Sequence, residues 1–372
     1  MAKQILITGG AGFIGSHLAD ELLRNGYRVR ALDNLSPQVH GPAAQRPDYL
    51  DPQVELIHGD VRDPAMVRAA LRGIDAVYHF AAAVGVGQSM YEIEHYTSVN
   101  NVGTAVLLEA LIERPVERLI VASSMSVYGE GLYHDPAGDI SPGLERTVEQ
   151  LRNHDWEVRN VRQETLTPVG TSETKPPTLA SVYALSKFDQ ERLCLMIGRA
   201  YSIPTVALRF FNIYGARQAL SNPYTGVLAI FGSRLINDRP PVIFEDGLQK
   251  RDFVHVHDVA RACRLALEVP DAAGRAINVG SGNAYTVLEI AEKMAHVLGK
   301  ERLDPEISRK YRVGDIRHCF ADIRLARRLL GYEPRVQLDD GLSELAEWLA
   351  GQAAEDFVSR AGAELDRRGL AI

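Results

Sequence analysis

The chain has 372 residues, 46% of them hydrophobic and 24% charged, which is typical of a soluble globular protein with room for two domain-sized units. Its net charge is -7 and no block of lysine or arginine stands out, so neither nucleic acid nor an anionic membrane is expected as a partner. The lack of a secretion signal, of an apolar stretch of ~20 residues and of paired cysteines predicts a cytoplasmic protein with reduced thiols.

In the first half of the chain, short apolar runs alternate with helical patterns, which predicts an α/β fold with parallel strands and helices on both faces of a sheet. The strands expected there are QILIT, YRVRALD, VELIHGD, DAVYHFAA and ERLIVASS. Residues 131–177 interrupt the alternation with glycines and prolines, and we interpret them as an inserted lobe. The alternation then resumes with the helix SVYALSKFDQERLCLMIGRAY, the strand TVALRFF, the helix VHDVARACRLALE, the strand AINVGS and the helix VLEIAEKMAHVLG.

A glycine-rich turn, TGGAGFIG, joins the first strand to the first helix. Gly9, Gly12 and Gly15 let the backbone approach a pyrophosphate, which then lies against the N-terminus of the helix. Asp33 ends the second strand, at the spacing expected for an acid that accepts the ribose hydroxyls. Because this carboxylate would repel a 2′-phosphate, the pattern predicts NAD rather than NADP. Asp60, at the end of the third strand, is a candidate for contact with the adenine, with a simple helix N-cap as the alternative.

The segment SVYALSK places Tyr183 and Lys187 four residues apart on one face of a helix. A phenol with a pKa near 10 is a poor base at neutral pH, but a nearby ammonium favours its ionised form. Tyr183 is therefore a candidate base for a sugar hydroxyl, with a chance surface pair as the alternative.

Nine motifs in combination resemble the extended short-chain dehydrogenase/reductase family, in particular its nucleotide-sugar epimerases and dehydratases. The resemblance covers the chain to about residue 350. The motifs are TGGAGFIG, GDVRD, VYHFAA, VNNVGT, SSMSVYG, YALSK, RFFNIYG, RDFVHVHDVA and GDIRH.

The resemblance implies a Rossmann doubly wound parallel sheet that binds NAD over residues 1–212, with segments near 253–280 returning to it. Residues 213–350 would form a smaller C-terminal domain that binds a nucleoside-diphosphate sugar. Residues 351–372 are expected to form a peripheral C-terminal helix.

The resemblance also implies the residues of the site. Ser124, Tyr183 and Lys187 would be the catalytic triad, with Ser123 and Ser126 lining the same pocket. The expected cofactor-binding residues are Gly9, Gly12, Phe13, Ile14, Gly15, Asp33, Asn34, Asp60, Val61, Ala81, Ala82, Ala83, Asn100, Tyr183 and Lys187. The expected substrate-binding residues are Val84, Ser124, Met125, Ser126, Tyr183, Asn212, Asn222, Tyr224, Arg251, Arg312 and Asp315. Family members pair through two long helices, here about 98–113 and 183–200, so a homodimer is expected.

The residues after Ser124 bear on the reaction. In the dehydratases of this family an Asp-Glu pair follows the triad hydroxyl, and related decarboxylases carry a Glu two positions after it. Here Met125 and Ser126 stand in those places, and no cysteine is available for a 3,5-epimerase. The resemblance thus implies a 4-epimerase that uses NAD. A dehydratase, a 4-ketosugar reductase and a non-catalytic NAD-binding sensor stay open as alternatives.

The expected sugar follows from the same resemblance, which extends to epimerases that convert dTDP-L-rhamnose into dTDP-6-deoxy-L-talose. UDP-glucose, UDP-galactose and UDP-glucuronate are the alternatives. Many of those relatives carry two Cys-x-x-Cys pairs in the inserted lobe, but the corresponding stretches at Asp135 and Asn160 hold no cysteine. No metal is therefore expected, and apolar contacts should hold the lobe together. The side chains expected to make them are Leu144, Leu151, Trp156 and Val158.

The alternating pair His255 and His257 could suggest a metal site. We expect the two side chains to pack beside the following helix instead.

Overall fold

The protein is described by a computed structural model that covers residues 2–220, 222, 224, 226–312, 314–352 and 358–371. In chain order the strands are β1 (Gln4–Thr8), β2 (Arg28–Asp33), β3 (Glu55–His58), β4 (Ala76–His79), β5 (Arg118–Ser124), β6 (Leu132–His134), β7 (Ile140–Pro142), β8 (Thr167–Val169), β9 (Thr205–Phe210), β10 (Asn212–Tyr214), β11 (Val242–Ile243), β12 (Lys250–Arg251), β13 (Phe253–His255), β14 (Ala276–Val279), β15 (Tyr285–Thr286), β16 (Glu306–Ile307) and β17 (His318–Cys319).

The α-helices are α1 (Phe13–Arg24), α2 (Pro37–His40), α3 (Pro64–Ala70), α4 (Val86–Ser89), α5 (Ile93–Tyr96), α6 (Gly103–Glu113), α7 (Val148–Arg152), α8 (Val182–Ala200), α9 (Val227–Ile236), α10 (Val256–Glu268), α11 (Val287–Val297), α12 (Arg324–Leu330), α13 (Leu338–Ala350) and α14 (Val358–Arg367). A π-helical stretch, Thr97–Val102, leads into α6. None of the helices in the described ranges is both long and apolar enough to cross a membrane.

The central sheet has seven strands among the described residues, in the order β14-β9-β5-β4-β1-β2-β3, and every neighbouring pair is parallel. The strand order reverses between β1 and β4, so the loops that follow these two strands diverge and leave a crevice at their carboxyl ends. This arrangement confirms the predicted Rossmann doubly wound sheet.

The sheet forms because its strands are apolar on both faces. Ile5 and Ile7 of β1 pack into one cluster with α1 and α10, whereas Leu6 packs into a second cluster with α3 and α6. Alternate residues of a strand point to opposite faces, so one apolar run supplies both layers.

A separate apolar core lies in the C-terminal part of the chain. It is built by α9, α11 and α13, through side chains such as Phe231, Met294 and Leu342. The chain nevertheless returns to the central sheet, because β14 pairs with β9 at its edge. The domain boundaries given above stay a prediction.

The inserted lobe contains a three-stranded antiparallel sheet, β7-β6-β8, and the short helix α7, which lies between β7 and β8 along the chain. Leu151, Trp156 and Val158 are buried, as the sequence predicts. Leu144 is 44% exposed, so the prediction that it helps to hold the lobe is wrong. The apolar clusters of the lobe are small. Tyr133, Val158 and Leu166 form one of them, and in the other Leu151 and Trp156 pack with Tyr311 of the C-terminal part.

Buried charges and backbone hydrogen bonds, such as that from Thr171 N–H to the Phe320 carbonyl, also attach the lobe to the rest of the protein. Arg317 is fully buried, and its guanidinium donates to Glu157 of the lobe at 2.6 Å, to Glu245 at 3.0 Å and to Asp246 at 2.6 Å. Arg146 of the lobe donates to the same Glu245 at 2.8 Å. The lobe is therefore tied to the C-terminal part by a network in which each buried charge has an opposite charge beside it.

The C-terminal helix α14 and the residues that follow it bridge two parts of the chain. The Arg368 guanidinium lies 4.3 Å from the ring centroid of Tyr91, which belongs to the part that carries the central sheet. Asp366 accepts from Lys310 at 2.9 Å, and Ala371 forms an antiparallel bridge with Arg312 in the C-terminal part.

Three buried histidines are expected to make the fold sensitive to acid. Burial lowers the pKa of His17 and His79 to about 3 and that of His255 to about 4. The unfolded chain takes up these protons near pH 6.5, so the folded state binds fewer protons between pH 6.5 and 4. The free energy of unfolding should therefore fall as the pH is lowered through this range, and urea unfolding at pH 7, 6 and 5 measures it.

A matched pair of variants isolates one of these groups. His255 Nδ1 accepts from the backbone N–H of His257 at the start of α10, and His255→Asn keeps an acceptor there. This variant should reduce the pH slope of stability by up to about 1.4 kcal/mol per pH unit. The control His95→Asn changes an exposed histidine of α5 and should leave the slope close to that of the wild type. A wild-type slope in His255→Asn would contradict the assignment.

Candidate active site

Close packing requires glycine at two positions of the turn after β1. Gly9 has a φ of +71°, and a Cβ there would lie 2.9 Å from the backbone nitrogen of Ala81. A Cβ on Gly15 would lie 2.3 Å from the carbonyl oxygen of Gly9. A Cβ on Gly12 would meet only that oxygen, at 3.4 Å, and no side chain caps the start of α1. Gly12 therefore leaves open the side from which a pyrophosphate would approach, in front of Phe13 and Ile14.

Asp33 lies at the end of β2, beside the glycine turn. Its two carboxylate oxygens accept from the backbone N–H groups of Ala11 at 3.0 Å and Leu35 at 2.9 Å. Each oxygen keeps a further lone pair, so the group can also accept ribose hydroxyls. The glycine turn and this carboxylate thus fit NAD.

Asp60 has a different set of partners. A side-chain hydrogen bond from Arg62, at 2.8 Å, lowers the pKa of Asp60 to about 2. Asn34 donates to the same carboxylate at 3.4 Å, and Val61 is buried behind it. The N-cap of α3 is Asp63, so the alternative of a helix cap at Asp60 is wrong.

The loop after β4 is fixed by side chains from two other elements. The Asn100 side chain accepts from the N–H of Ala83 at 2.7 Å and donates to its carbonyl at 3.1 Å. Ala81 N–H donates to Thr8 Oγ1 at 3.2 Å. Ala82 lies between these two anchors, and the loop therefore has a defined position at the crevice.

Ser124 and Tyr183 meet at the carboxyl end of β5. Ser124 Oγ accepts from the N–H of Ser126 at 3.1 Å and from its hydroxyl at 2.9 Å. Tyr183 lies in the first turn of α8, where Ser181 caps the helix by accepting from the N–H of Ala184. Burial raises the pKa of Tyr183, and a hydrogen bond with the Ser124 side chain opposes that rise.

Lys187 follows Tyr183 by one helical turn and is buried. Burial lowers the pKa of its ammonium to about 8. Its Nζ donates to the Gln190 side-chain oxygen at 2.6 Å. The structure therefore brings Ser124, Tyr183 and Lys187 to one end of the sheet.

Ser123 does not share the pocket with Ser124. Consecutive strand residues point to opposite faces, and the Ser123 hydroxyl donates to Glu191 at 2.6 Å. Glu191 in turn forms a buried ion pair with Arg209. The expectation that Ser123 lines the substrate pocket is thus wrong. Met125 packs into an apolar cluster next to Ser124.

Of the residues predicted to bind the diphosphate, Arg251 and Arg312 lie in the C-terminal part, and Asn212 lies at its boundary, in β10. The Asn212 side-chain oxygen is buried without a hydrogen-bond partner among the described residues. Arg251 donates to the carbonyl oxygens of Ile316 and Arg317. Arg312 pairs with Asp315 at 2.9 Å, and the charge of Arg251 also lowers the pKa of that carboxyl.

The segment around Asn222 and Tyr224 joins the two parts of the protein. Asn222 accepts from Gln38 at 3.1 Å, and the Tyr224 hydroxyl contacts that of Tyr91. Val84, after β4, is 53% exposed. Ser221, Pro223 and Thr225, which flank the two predicted residues, lie outside the described residues.

His255 and His257 lie with Glu344 in a group whose ligand atoms are all within 4.8 Å of one another. Because His255 Nδ1 accepts a backbone hydrogen bond, its neutral ring carries the proton on Nε2. Coordination through Nε2 would require the other tautomer. The hydrogen bonding therefore favours a polar packing role over a metal site.

The sequence did not single out Gln190, although it lies three residues after Lys187 and hence on the same helix face. That spacing was the one feature of the sequence that could have indicated a contact between Gln190 and Lys187.

Comparison with known proteins agrees with this geometry. Residues 5–153 and 160–280 match the NAD dependent epimerase/dehydratase family. The chain is 36% identical to a dTDP-L-rhamnose 4-epimerase of Burkholderia thailandensis over 354 aligned residues. The alignment covers 94% of this chain and 95% of the relative.

Two solved structures share the fold along nearly the whole chain. A UDP-glucuronic acid 4-epimerase from Bacillus cereus, in complex with UDP-glucuronic acid and NAD, has a TM-score of 0.77 and 30% identity, and covers 93% of this chain and 99% of its own. A UDP-N-acetylglucosamine 4-epimerase from Methanobrevibacter ruminantium has a TM-score of 0.77 and 29% identity, and covers 95% and 99%. The chain therefore belongs to the NAD-dependent epimerase/dehydratase family, as a nucleotide-sugar epimerase that uses NAD.

Proposed function

We propose that the protein inverts C4 of dTDP-L-rhamnose, through a 4-keto sugar, to give dTDP-6-deoxy-L-talose. The observation that supports 4-epimerase chemistry is the nature of the two residues after Ser124. Met125 is packed among apolar side chains and Ser126 is bonded to Ser124, so neither supplies the second acid or base that a dehydratase or a decarboxylase needs.

The proposed roles of the triad follow from its contacts. Tyr183 removes the proton from the C4 hydroxyl and returns it to the C4 oxygen, while Ser124 donates a hydrogen bond to that oxygen. The positive charge of Lys187 stabilises the Tyr183 phenolate against the burial that raises its pKa. NAD held by the glycine turn and Asp33 would supply the hydride-accepting and hydride-returning chemistry at C4.

The remaining expected residues are assigned by the same proposal. The glycine turn, Asp33 and the loop held by Asn100 bind NAD. Asn212, Arg251 and Arg312 bind the diphosphate of the sugar nucleotide, since an arginine fork suits phosphate oxygens. Asn222, Tyr224, Val84 and Asp315 line the rest of the substrate site.

The relative from Burkholderia thailandensis supports dTDP-L-rhamnose as the substrate, because it matches nearly all of the chain. The structural relatives act on UDP-linked sugars, which keeps UDP-glucuronate and UDP-glucose as the second candidates. The homodimer and the cytoplasmic location stay predictions.

A substrate panel tests the proposal. Purified protein is denatured to measure NAD released per chain, and the native protein is incubated with dTDP-L-rhamnose, UDP-glucose and UDP-glucuronate without added reductant. We expect bound NAD and inversion at C4 of dTDP-L-rhamnose by NMR. If only a UDP-sugar is inverted at C4, that sugar replaces dTDP-L-rhamnose as the proposed substrate. A requirement for added NADPH would indicate a reductase instead.

A further inference from the structure

We propose that Gln190 is a positioning residue that holds the Lys187 ammonium and its charge in the active site. The proposal rests on the proposed function of Lys187 beside Tyr183. Gln190 is fully buried in α8, on the face of the helix that Lys187 occupies.

The contact between the two side chains has a defined direction. Lys187 Nζ lies 2.6 Å from Gln190 Oε1, and an ammonium can only donate, so the oxygen of the amide must face the lysine. An ammonium has three N–H donors. Gln190 takes one of them and leaves two for other acceptors in the cleft, such as ribose hydroxyls.

The other end of the amide is fixed as well. Gln190 Nε2 donates to Thr104 Oγ1 at 2.9 Å and approaches the carbonyl oxygen of Ala81 at 3.4 Å. Thr104 gives its own proton to the carbonyl of Asn100 at 2.6 Å, so its oxygen is an acceptor for Gln190. The amide therefore cannot turn its nitrogen toward Lys187 without losing these partners.

A buried histidine completes the support. His79 Nε2 lies 2.8 Å from Thr104 Oγ1, and its Nδ1 lies 2.9 Å from Thr8 Oγ1. Because Thr104 donates elsewhere, His79 carries its proton on Nε2 and accepts from Thr8. His79 Nε2 and Gln190 Nε2, which lie 3.2 Å apart, then both donate to Thr104 Oγ1 and not to each other. Thr8, His79 and Thr104 thus link the strand ends of the crevice to Gln190, and through it to Lys187.

The charged and titratable groups around Lys187 leave Gln190 as its direct acceptor. On α8, Glu191 and Cys194 raise the pKa of the lysine, but Glu191 is bound to Arg209 of β9. His79 of β4 is buried, and its pKa of about 3 keeps it neutral at pH 7. Tyr183 lies one turn earlier on the same helix.

Two substitutions test the proposal. Gln190→Met keeps the size of the side chain and removes the acceptor, so the pKa of Lys187 should fall by about one unit, since a hydrogen bond to a charged group is lost. Gln190→Glu restores an acceptor and adds a negative charge, so that pKa should rise above the wild-type value. The measurement is an NMR titration of labelled lysine in the NAD-loaded protein, with Lys187→Met to assign the signal.

The pH profile of turnover provides the second readout. A weaker charge at Lys187 favours the neutral phenol, so the acidic limb of kcat in Gln190→Met should move to higher pH, and kcat at pH 7 should drop about tenfold. Thr104→Val, which frees the amide from one anchor, should shift the limb in the same direction by less. Melting temperatures show that the variants are folded.

Equal Lys187 pKa values in the wild type and in folded Gln190→Met would overturn the proposal. So would a drop in kcat for both Gln190 variants with no change in the pH profile, because a merely structural role predicts that. If no nucleotide sugar is turned over by the wild type, the proposed function fails, while the NMR titration still tests the contact.

Discussion

Tyr183→Phe should give a folded protein that retains NAD and has lost turnover of its sugar nucleotide. The change removes only the hydroxyl that meets Ser124, and with it the proposed base. Loss of a positioned acid–base group lowers rates by about 10²–10⁴-fold. The measurement is C4 inversion by NMR, together with the amount of NAD released on denaturation.

Tyr201→Phe is the matched control for this experiment. Tyr201 follows the C-terminal end of α8 and is 49% exposed, so loss of its hydroxyl should leave turnover at the wild-type rate. Turnover by Tyr183→Phe at a rate close to that of the control would remove the proposed mechanism.

Arg317→Ala should have the largest effect on stability. The guanidinium is fully buried among Glu157, Glu245 and Asp246. Its removal leaves a cavity and takes from the buried Glu245 one of its two arginine partners, the other being Arg146. Breaking a buried pair in this way costs about 3–5 kcal/mol. The free energy of unfolding from urea titration measures the effect.

An exposed arginine supplies the comparison. Arg324 pairs with Asp322 at 2.6 Å but is 80% exposed, so Arg324→Ala should leave the free energy of unfolding close to the wild-type value. Equal effects of the two substitutions would show that the buried network does not hold the lobe.

The features that the sequence predicted well are those whose partners are close along the chain. Gly9, Gly12 and Gly15 are positioned by one turn, and Tyr183 and Lys187 by one turn of helix. The strand that ends in Ser124 is apolar on both faces, so its place in a covered parallel sheet follows from its composition.

The features that could not be predicted depend on partners far apart in sequence. Arg146 and Glu245 are 99 positions apart, and Glu157 and Arg317 are 160 positions apart. No local sequence pattern indicates that such distant charges form pairs. The sequence therefore offered only the apolar residues of the lobe as candidates for the contacts that hold it. Leu144 was one of them, and it is exposed.

The contact partners of Gln190 illustrate the same limit at the active site. Its spacing from Lys187 is local, but Thr104, which orients its amide, lies 86 positions earlier in the chain. Ser123 shows a different kind of failure, because strand alternation was enough to exclude it from the pocket of Ser124.

The strand β14 comes late in the chain but pairs at the edge of the central sheet, and this limits where the chain can be truncated. A shortened polypeptide that stops at residue 212 would lack β14, which is one of the two strands that pair with β9. All six residues of β9 are buried in the intact chain. Its unpaired backbone groups would then invite pairing with other molecules. Recombinant production of the NAD-binding part by itself should therefore yield aggregates, unless residues 276–279 are supplied with it.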